Sequence, residues 1–495
     1  MEQSYEALCR SALTKNLDDN IARFRELLRA NVNSDAQFRS FEAAGRRLCL
    51  IYMEGMADDR RISDFVLRAC ARNARDRSEA WDVPALMNRV IEIAQCETET
   101  RVKRLLSEIA GGMTVVLIED CDEALLLETR GYPARPVNRT ANESVVNGAQ
   151  EGFVESLRTN MTLLRRYMTS PRLITECVSV GTEAPVRAAL CYLDGVAREE
   201  IVARARERLM RIDAPTVQGI GGIAQLIEDR PFAPLPQFLQ TERPDRAASC
   251  LLDGQVVLLA DNSPCALVAP ATVFHLIHAS DDTFARWQYA TFLRLVRVAG
   301  ILISIFLPGF YLALTQYHMH LLPLNLLASV AEARASVPFP VLVEVLIMEF
   351  SFYLINEAGT RMPQQIGPAL GIVGALILGQ AAVAASIISP ILIIIVALTG
   401  LGNYAAPDYG FSMGLILCRL FVVFMSALLG LYGFCIAAHT LLAGLCAMTS
   451  LGEPYTAPVA PPRPHNPDIL LRLPLWMQRT HMFYARRPSR KCGAA

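Results

Sequence analysis

Three long stretches of this chain, 298–331, 362–407 and 420–452, contain no Asp, Glu, Lys or Arg. They run to 34, 46 and 33 residues. A helix crosses the bilayer core with roughly 20 apolar residues, so each stretch is long enough for more than one pass. A helix of a soluble protein buries one stripe and shows water the rest, which gives it no reason to be uncharged all round at this length. The charges crowd instead into the first 290 residues or so and into the tail. The pattern predicts a soluble N-terminal half followed by an all-α polytopic transmembrane domain.

No apolar leader opens the chain, since Met1 to Asn20 is polar and mixed in charge. The N-terminal half is therefore expected on the cytoplasmic side. A net charge of −1 argues against a nucleic-acid partner. The thirteen cysteines form no CxxC pair, which points to reduced, structural thiols. Phosphate-binding loops, HExxH, GxSxG and zinc-type Cys/His clusters are all missing. His275 and His278 lie one helical turn apart and His318 and His320 flank Met319, but two histidines do not complete a metal site. No catalytic residue, metal or cofactor is expected, and the chain reads as a non-enzyme.

The soluble half repeats itself. Leu50-Ile51-Tyr52-Met53-Glu54-Gly55-Met56 reappears as Leu190-Cys191-Tyr192-Leu193-Asp194-Gly195-Val196. Each copy is an apolar run ending in acid-Gly, the pattern of a buried strand and a turn, with a charged helical stretch behind it. Gly112 to Leu117 likewise matches Gly254 to Leu259. Offsets of 140 and 142 residues favour duplication over chance. The fold expected here is a duplicated α/β soluble domain, with a first subdomain over 38–140 and a second over 180–290. A helical segment (1–37) precedes them, a linker helix region (141–179) joins them, the transmembrane helical domain covers 291–452, and a basic cytoplasmic tail covers 453–495.

In the linker, Phe153, Leu157, Leu164 and Met168 form an apolar stripe, with Arg158, Arg165 and Arg166 off it. Those arginines read either as a solvated helix face or as a basic face turned to the membrane or a neighbouring subunit.

The first span is expected at 298–315. Arg286, Arg294 and Arg297 precede it, which places its start on the cytoplasmic side. The segment 337–356 is apolar yet carries Glu344 and Glu349. Glu349, Tyr353 and Asn356 share one helical stripe, and Glu344 and Ser351 share another. Carboxylates at membrane depth line water or pair inside a bundle, unless the helix lies in the interface. Around 365–383, Gly367, Gly371, Gly374 and Gly379 let helices approach closely, either for packing alone or along a narrow pathway. A further span follows Ser389-Pro390. The stretch 415–448 reads as one kinked helix or two short ones, broken near Gly430 to Gly433. The tail is Pro-rich and then basic, so both termini are expected to be cytoplasmic.

From about residue 40 to 480 the chain resembles the A-subunit family of bacterial spore germinant receptors, the GerA family. The resemblance is carried by Thr241-Glu242-Arg243-Pro244-Asp245-Arg246 and Leu251-Leu252-Asp253-Gly254 in the soluble half. In the membrane half it rests on Val337-Pro338-Phe339-Pro340 with Glu344 and Met348-Glu349, on Ile366-Gly367 through Gly371-Ile372-Val373-Gly374 to Gly379-Gln380-Ala381-Ala382-Val383, and on Ser389-Pro390. Gly452, Pro454-Tyr455, Arg472, Pro474 and Trp476 also fit. Two departures stand out. Asn147-Gly148-Ala149-Gln150 replaces a basic run before Glu151-Gly152-Phe153, and Ala384 stands where a polar residue is common.

The resemblance implies a homo-oligomeric membrane subunit in the spore inner membrane, surrounded by lipid and conducting monovalent cations. It also implies two partners: a transporter-like B-type subunit that binds the nutrient, and a C-type lipoprotein. On this expectation, Val373 and Leu376 form an apolar constriction that closes by dewetting. Gly371, Gly374, Gly379 and Gln380 let the helices pack and move around it, and Glu344 and Glu349 attract cations nearby. A homologous stage V sporulation protein AF-type channel partner is one alternative. A secondary transporter is another, although the membrane half lacks the internal symmetry that it requires.

Overall fold

The structure, a computed structural model, describes residues 5, 8–9, 11–43, 45–73, 82–131, 143, 148–361, 379–462 and 468–474. The first soluble unit contains α1 (Leu17–Leu27), β1 (Ala36–Ala43), β2 (Arg46–Met53), β3 (Cys96–Glu99), α2 (Val102–Ala110), β4 (Thr114–Ile118) and β5 (Ala124–Leu127). The second contains α3 (Leu157–Tyr167), β6 (Leu173–Val180), β7 (Val186–Leu193), α4 (Glu199–Met210), α5 (Gly219–Ile227), β8 (Leu239–Thr241), α6 (Pro244–Leu252), β9 (Val256–Ala260) and β10 (Ala266–Ala269). The strands form two antiparallel sheets of one topology, β1-β2-β4-β5-β3 and β6-β7-β9-β10-β8.

The central strands are apolar without alternation because both of their faces are covered. Residues along a strand point alternately to opposite sides. Cys49, Ile51, Val115 and Leu117 pack under α1 and α2, while Leu48, Leu50, Val116 and Ile118 pack under the short helical turns between residues 59 and 90. The second sheet divides in the same way between α3 with α6 and α4 with α5. Each Leu or Ile buried in this way contributes about 1.5–3 kcal/mol relative to leaving it exposed.

The repeat reaches further upstream than the two matched strings. In α1, Asn20 Nδ2 donates to Thr14 O at 2.5 Å and its Oδ1 accepts from Thr14 N at 3.1 Å. In α3, Asn160 binds Val154 identically, at 2.5 and 2.8 Å. The segment expected as a linker thus holds in the second unit the place that α1 holds in the first. Turn chemistry repeats as well. Asp120 and Asn262 both adopt left-handed backbone, φ 61° and 60°, which short polar side chains tolerate. Gly55 and Gly195, at 82° and 79°, close the acid-Gly turns.

Beyond the sheets run α7 (Trp287–Tyr317), α8 (Leu324–Arg334), α9 (Val341–Arg361), α10 (Pro390–Tyr404) and α11 (Tyr409–Ala447). By length and composition, α7 and α11 can cross a membrane. α11 is not one straight rod. Gly430 adopts φ 60° and ψ −139°, and Gly433 comes against Met425, which a continuous helix would hold two turns away. The chain reverses there. The first arm runs alongside α7, with Arg419 at Ser304, Val422 and Ser426 at Gly309, and Tyr317 at Gly430. The second arm returns, placing Phe434 beside Phe306 and Phe310. At 1.5 Å per residue the arms are about 31 and 26 Å long, each close to one bilayer core. The expected break near Gly430 is thus a full reversal.

The returning arm delivers β11 (Thr449–Ser450) and β12 (Glu453–Pro454) to the second soluble unit. Tyr455 is fully buried there, its hydroxyl donating to Pro236 O at 2.7 Å, and Val273 N donates to Tyr455 O at 3.0 Å. Arg198 pairs with Glu453 at 3.2 Å. Further on, Arg294 binds Asp468 at 2.6 Å and Thr291 Oγ1 donates to Arg472 O at 3.2 Å. The described part of the tail therefore packs at the same end of the helical bundle as the soluble half.

Candidate functional site: a buried polar file through the helical bundle

The helices that pack against α7 carry polar side chains inward, in three tiers. At the soluble end, Asn403 Nδ2 donates to Ser412 Oγ at 2.8 Å, and Asp408 caps α11 by accepting from Phe411 N at 2.7 Å. Midway along the bundle, Arg419 of α11 reaches Glu349 of α9 at 3.2 Å and donates to Ser304 of α7 at 3.2 Å. Its guanidinium lies 5.4 Å from the Tyr353 ring centre, within cation–π range. At the far end, Glu344 accepts from Ser389 N, the cap of α10, at 3.1 Å, and faces Arg334 at 3.6 Å.

Close approach of backbones makes the file possible. Gly402 lies against Gly300, Gly309 against Val422 and Ser426, and Gly400 against the Phe352 ring. Side chains at these glycines would push the helices apart and separate the polar groups.

The charges of the middle tier are nearly sealed: Arg419 is 0% and Glu349 2% exposed. Glu349 Oε1 and Arg419 Nε have no hydrogen-bond partner among the described residues. A pair this incompletely satisfied is weak glue, because desolvation offsets much of the mutual attraction.

Glu344 and Glu349, singled out in the sequence, are both buried within the bundle and face Arg334 and Arg419. Tyr353 joins the same cluster. Gly379 is buried near Ile393 and Gln380 is exposed. Gly371, Val373, Gly374 and Leu376 lie outside the described residues. Arg419, Ser304 and Arg334 escaped the sequence reasoning. Arg419 did leave a signal, being the only Asp, Glu, Lys or Arg between Asp408 and Glu453. A lone charge in such a run demands a partner.

His275 and His278 serve the scaffold. His275 Nδ1 sits 2.8 Å from Thr272 Oγ1 in a capping box, and His278 Nε2 lies 2.5 Å from Ile469 O. Burial pushes the His275 imidazole down to about 4 and holds His278 well below the usual range, so both are neutral near pH 7. Among the described residues, no group of three or more His, Cys, Asp or Glu is placed to hold a metal ion.

Arg165 corrects both readings of the linker arginines. It is 2% exposed, and its Nε donates to Asp35 of the first unit at 2.7 Å. Nη2 donates to Asn33 Oδ1 at 3.3 Å and to Leu173 O of the second unit at 3.2 Å. It pins the two repeats together. Arg158 pairs with Asp59 at 2.9 Å, and Arg166 pairs with Glu151.

Comparison with known proteins places this architecture. The family described as Bacillus/Clostridium GerA spore germination protein matches residues 22–483. The chain belongs to the GerA family. It is 33% identical to spore germination protein B1 of Bacillus subtilis, over 97% of this chain and 98% of that protein. It is 32% identical to spore germination protein KA of the same organism, over 94% and 86%. It is 34% identical to the B. subtilis membrane protein YfkQ, over 96% and 92%. It is also similar to the crystallised N-terminal domain of the A subunit of the Bacillus megaterium spore germinant receptor GerK3. That match has 25% identity and a TM-score of 0.43, covering 53% of this chain and 97% of that domain. Membership of the GerA family carries a role in spore germination.

Proposed function

We propose that this GerA-family chain is the A-type membrane subunit of a nutrient germinant receptor. Copies of it assemble into an oligomer that conducts monovalent cations across the spore inner membrane once nutrient binds a transporter-like B-type subunit, with a C-type lipoprotein completing the complex. Family membership supports the germination role. The observation that carries the channel role is the polar file, with the Arg419–Glu349 pair at its centre. Buried charges at this depth in a bundle mark ion pathways and the devices that control them. Arg286, Arg294, Arg297 and Arg472 gather at the soluble end, which favours a cytoplasmic location for that end and for both termini.

In this reading Arg419 neutralises Glu349 in the closed state, and opening separates them so that Glu349 attracts cations. Glu344 does the same at the far end as it leaves Arg334. Gly371, Gly374 and Gly379, with Gln380, supply the small side chains that close packing and movement need, and Val373 with Leu376 supply the apolar constriction. Deleting the gene and recording potassium release from spores against a panel of nutrients tests the proposal. Loss of release to one nutrient, with responses to the others intact, supports a receptor subunit. Unchanged responses across the panel refute it.

A further inference from the structure

Between α7, the second arm of α11 and the loop 230–235 lies a crevice of about 900 Å³. Its walls are apolar, with Ile301, Leu302 and Phe306 on one side and Leu441, Leu442 and Leu445 on the other. Two features say what it accommodates. Phe232, at its mouth, is 101% exposed and flanked by Pro231 and Pro234, a rigid aromatic held out from a soluble unit beside membrane helices. Arg230, at the same mouth, is the one charged residue among the described residues that line the crevice. It is exposed and makes no ion pair among the described residues.

Depth fits as well. Val298 to Phe306 covers about 12 Å along α7, a little less than half of a bilayer core, beginning where the charge-free stretch of α7 begins. The crevice therefore spans one leaflet and opens at headgroup level on the side of the soluble units. Aromatic side chains favour that level, and a cation there attracts anionic headgroups. Leu302 and Leu442 are half exposed or more, so neither arm of the bundle closes the crevice.

We infer that this crevice binds an anionic diacyl phospholipid from the leaflet facing the soluble half. Its phosphate sits at Arg230, its glycerol region lies beside Phe232, and its acyl chains lie between α7 and the second arm of α11. A lipid seated there bridges the second soluble unit and the returning arm, so it couples the position of that unit to the membrane bundle. The inference needs only that the bundle lies in a membrane, and holds whether or not the chain conducts ions.

The test uses the full chain, purified in a nonionic detergent and incorporated into nanodiscs of phosphatidylcholine, with or without phosphatidylglycerol. Lipid that stays with the protein is counted by native mass spectrometry after release. Wild type should retain phosphatidylglycerol in preference to phosphatidylcholine, and added salt should weaken the preference. Arg230→Ala should reduce that preference by about fivefold, the value of one arginine at a charged surface. Arg230→Lys should keep it. Leu302→Trp, which fills the crevice from its exposed side, should reduce retention of both lipids without unfolding the chain. Wild-type retention in both Arg230→Ala and Leu302→Trp would overturn the inference. So would crosslinking of a Leu302→Cys chain to a second copy through this face with no lipid retained, because the crevice would then be a subunit interface.

Discussion

Arg419 and Glu349, on separate helices, meet at 3.2 Å midway along the bundle with almost no surface left to water. Removing one partner of such a pair strands a buried charge, at a cost of about 3–5 kcal/mol, whereas removing both together is far milder. Glu349→Gln alone should lower the thermal midpoint of the detergent-solubilised protein, and Glu349→Gln with Arg419→Gln should restore most of it. If the pair also holds the closed state, spores carrying the double variant should leak potassium without nutrient. Tight spores from that double variant would restrict the pair to stability.

The Arg165–Asp35 pair offers a parallel case outside the membrane. Arg165→Ala should destabilise the junction of the two soluble units by about 3–5 kcal/mol, because Asp35 is then buried unpaired. Replacing both by apolar residues, Arg165→Met with Asp35→Leu, should recover much of the loss. Limited proteolysis reads this out, since cleavage between the units should speed up in the single variant and slow again in the double. Equal cleavage rates in all three proteins would remove the clamp.

Gly430 is the hinge of the reversal in α11. A side chain there would be strained by φ 60° and would meet Tyr317 at 2.8 Å. Gly430→Ala should cost about 1–3 kcal/mol, the usual cost of forcing a residue into a sparsely populated backbone region. It should also weaken the bond from Tyr317 Oη to Ala427 O, now 2.5 Å. A melting temperature within error of wild type would argue that the reversal tolerates another backbone.

Acid should loosen the joint between the soluble half and α7 through His275. Its folded value, about 4, lies below the ordinary 6.5, so the unfolded chain binds more protons between the two. Stability from this group is full above pH 6.5 and is lost as pH falls toward 4, at up to about 1.4 kcal/mol per pH unit. Protonation would also disturb the contact of Nδ1 with Thr272. His275→Gln should flatten the fall in melting temperature between pH 6.5 and 4.5. An unchanged slope would assign the acid sensitivity elsewhere.

The proposed constriction gives the last expectation. Val373→Ala removes apolar surface from a gate that closes by dewetting, so spontaneous potassium release should rise. Release equal to wild type, with the protein present at normal levels, would move the gate off this residue.

Much of this architecture was legible in the chain because burial leaves a local trace. Charge-free runs announce a membrane bundle, since every residue on a lipid-facing helix meets the same solvent. Continuous apolar strings at Leu48–Ile51 and Val115–Ile118 announce strands covered on both faces. Two such strings at one offset announce a duplication. Gly430 announces a break, because its neighbours offer no other reason for an interruption.

What the sequence could not decide was pairing at a distance. The common order of the two sheets depends on which edges meet, and no single strand encodes that. Asn20 and Asn160 look like ordinary helix residues until their clasps are seen to be the same. Arg165 lies off the apolar stripe of its helix, which reads as solvent, and only the docking of the first unit buries it. Arg419 could be flagged as a lone charge, yet nothing in its neighbourhood names Glu349 and Ser304 as its partners. Hydropathy records how much water a residue loses, and only the fold decides which group replaces that water.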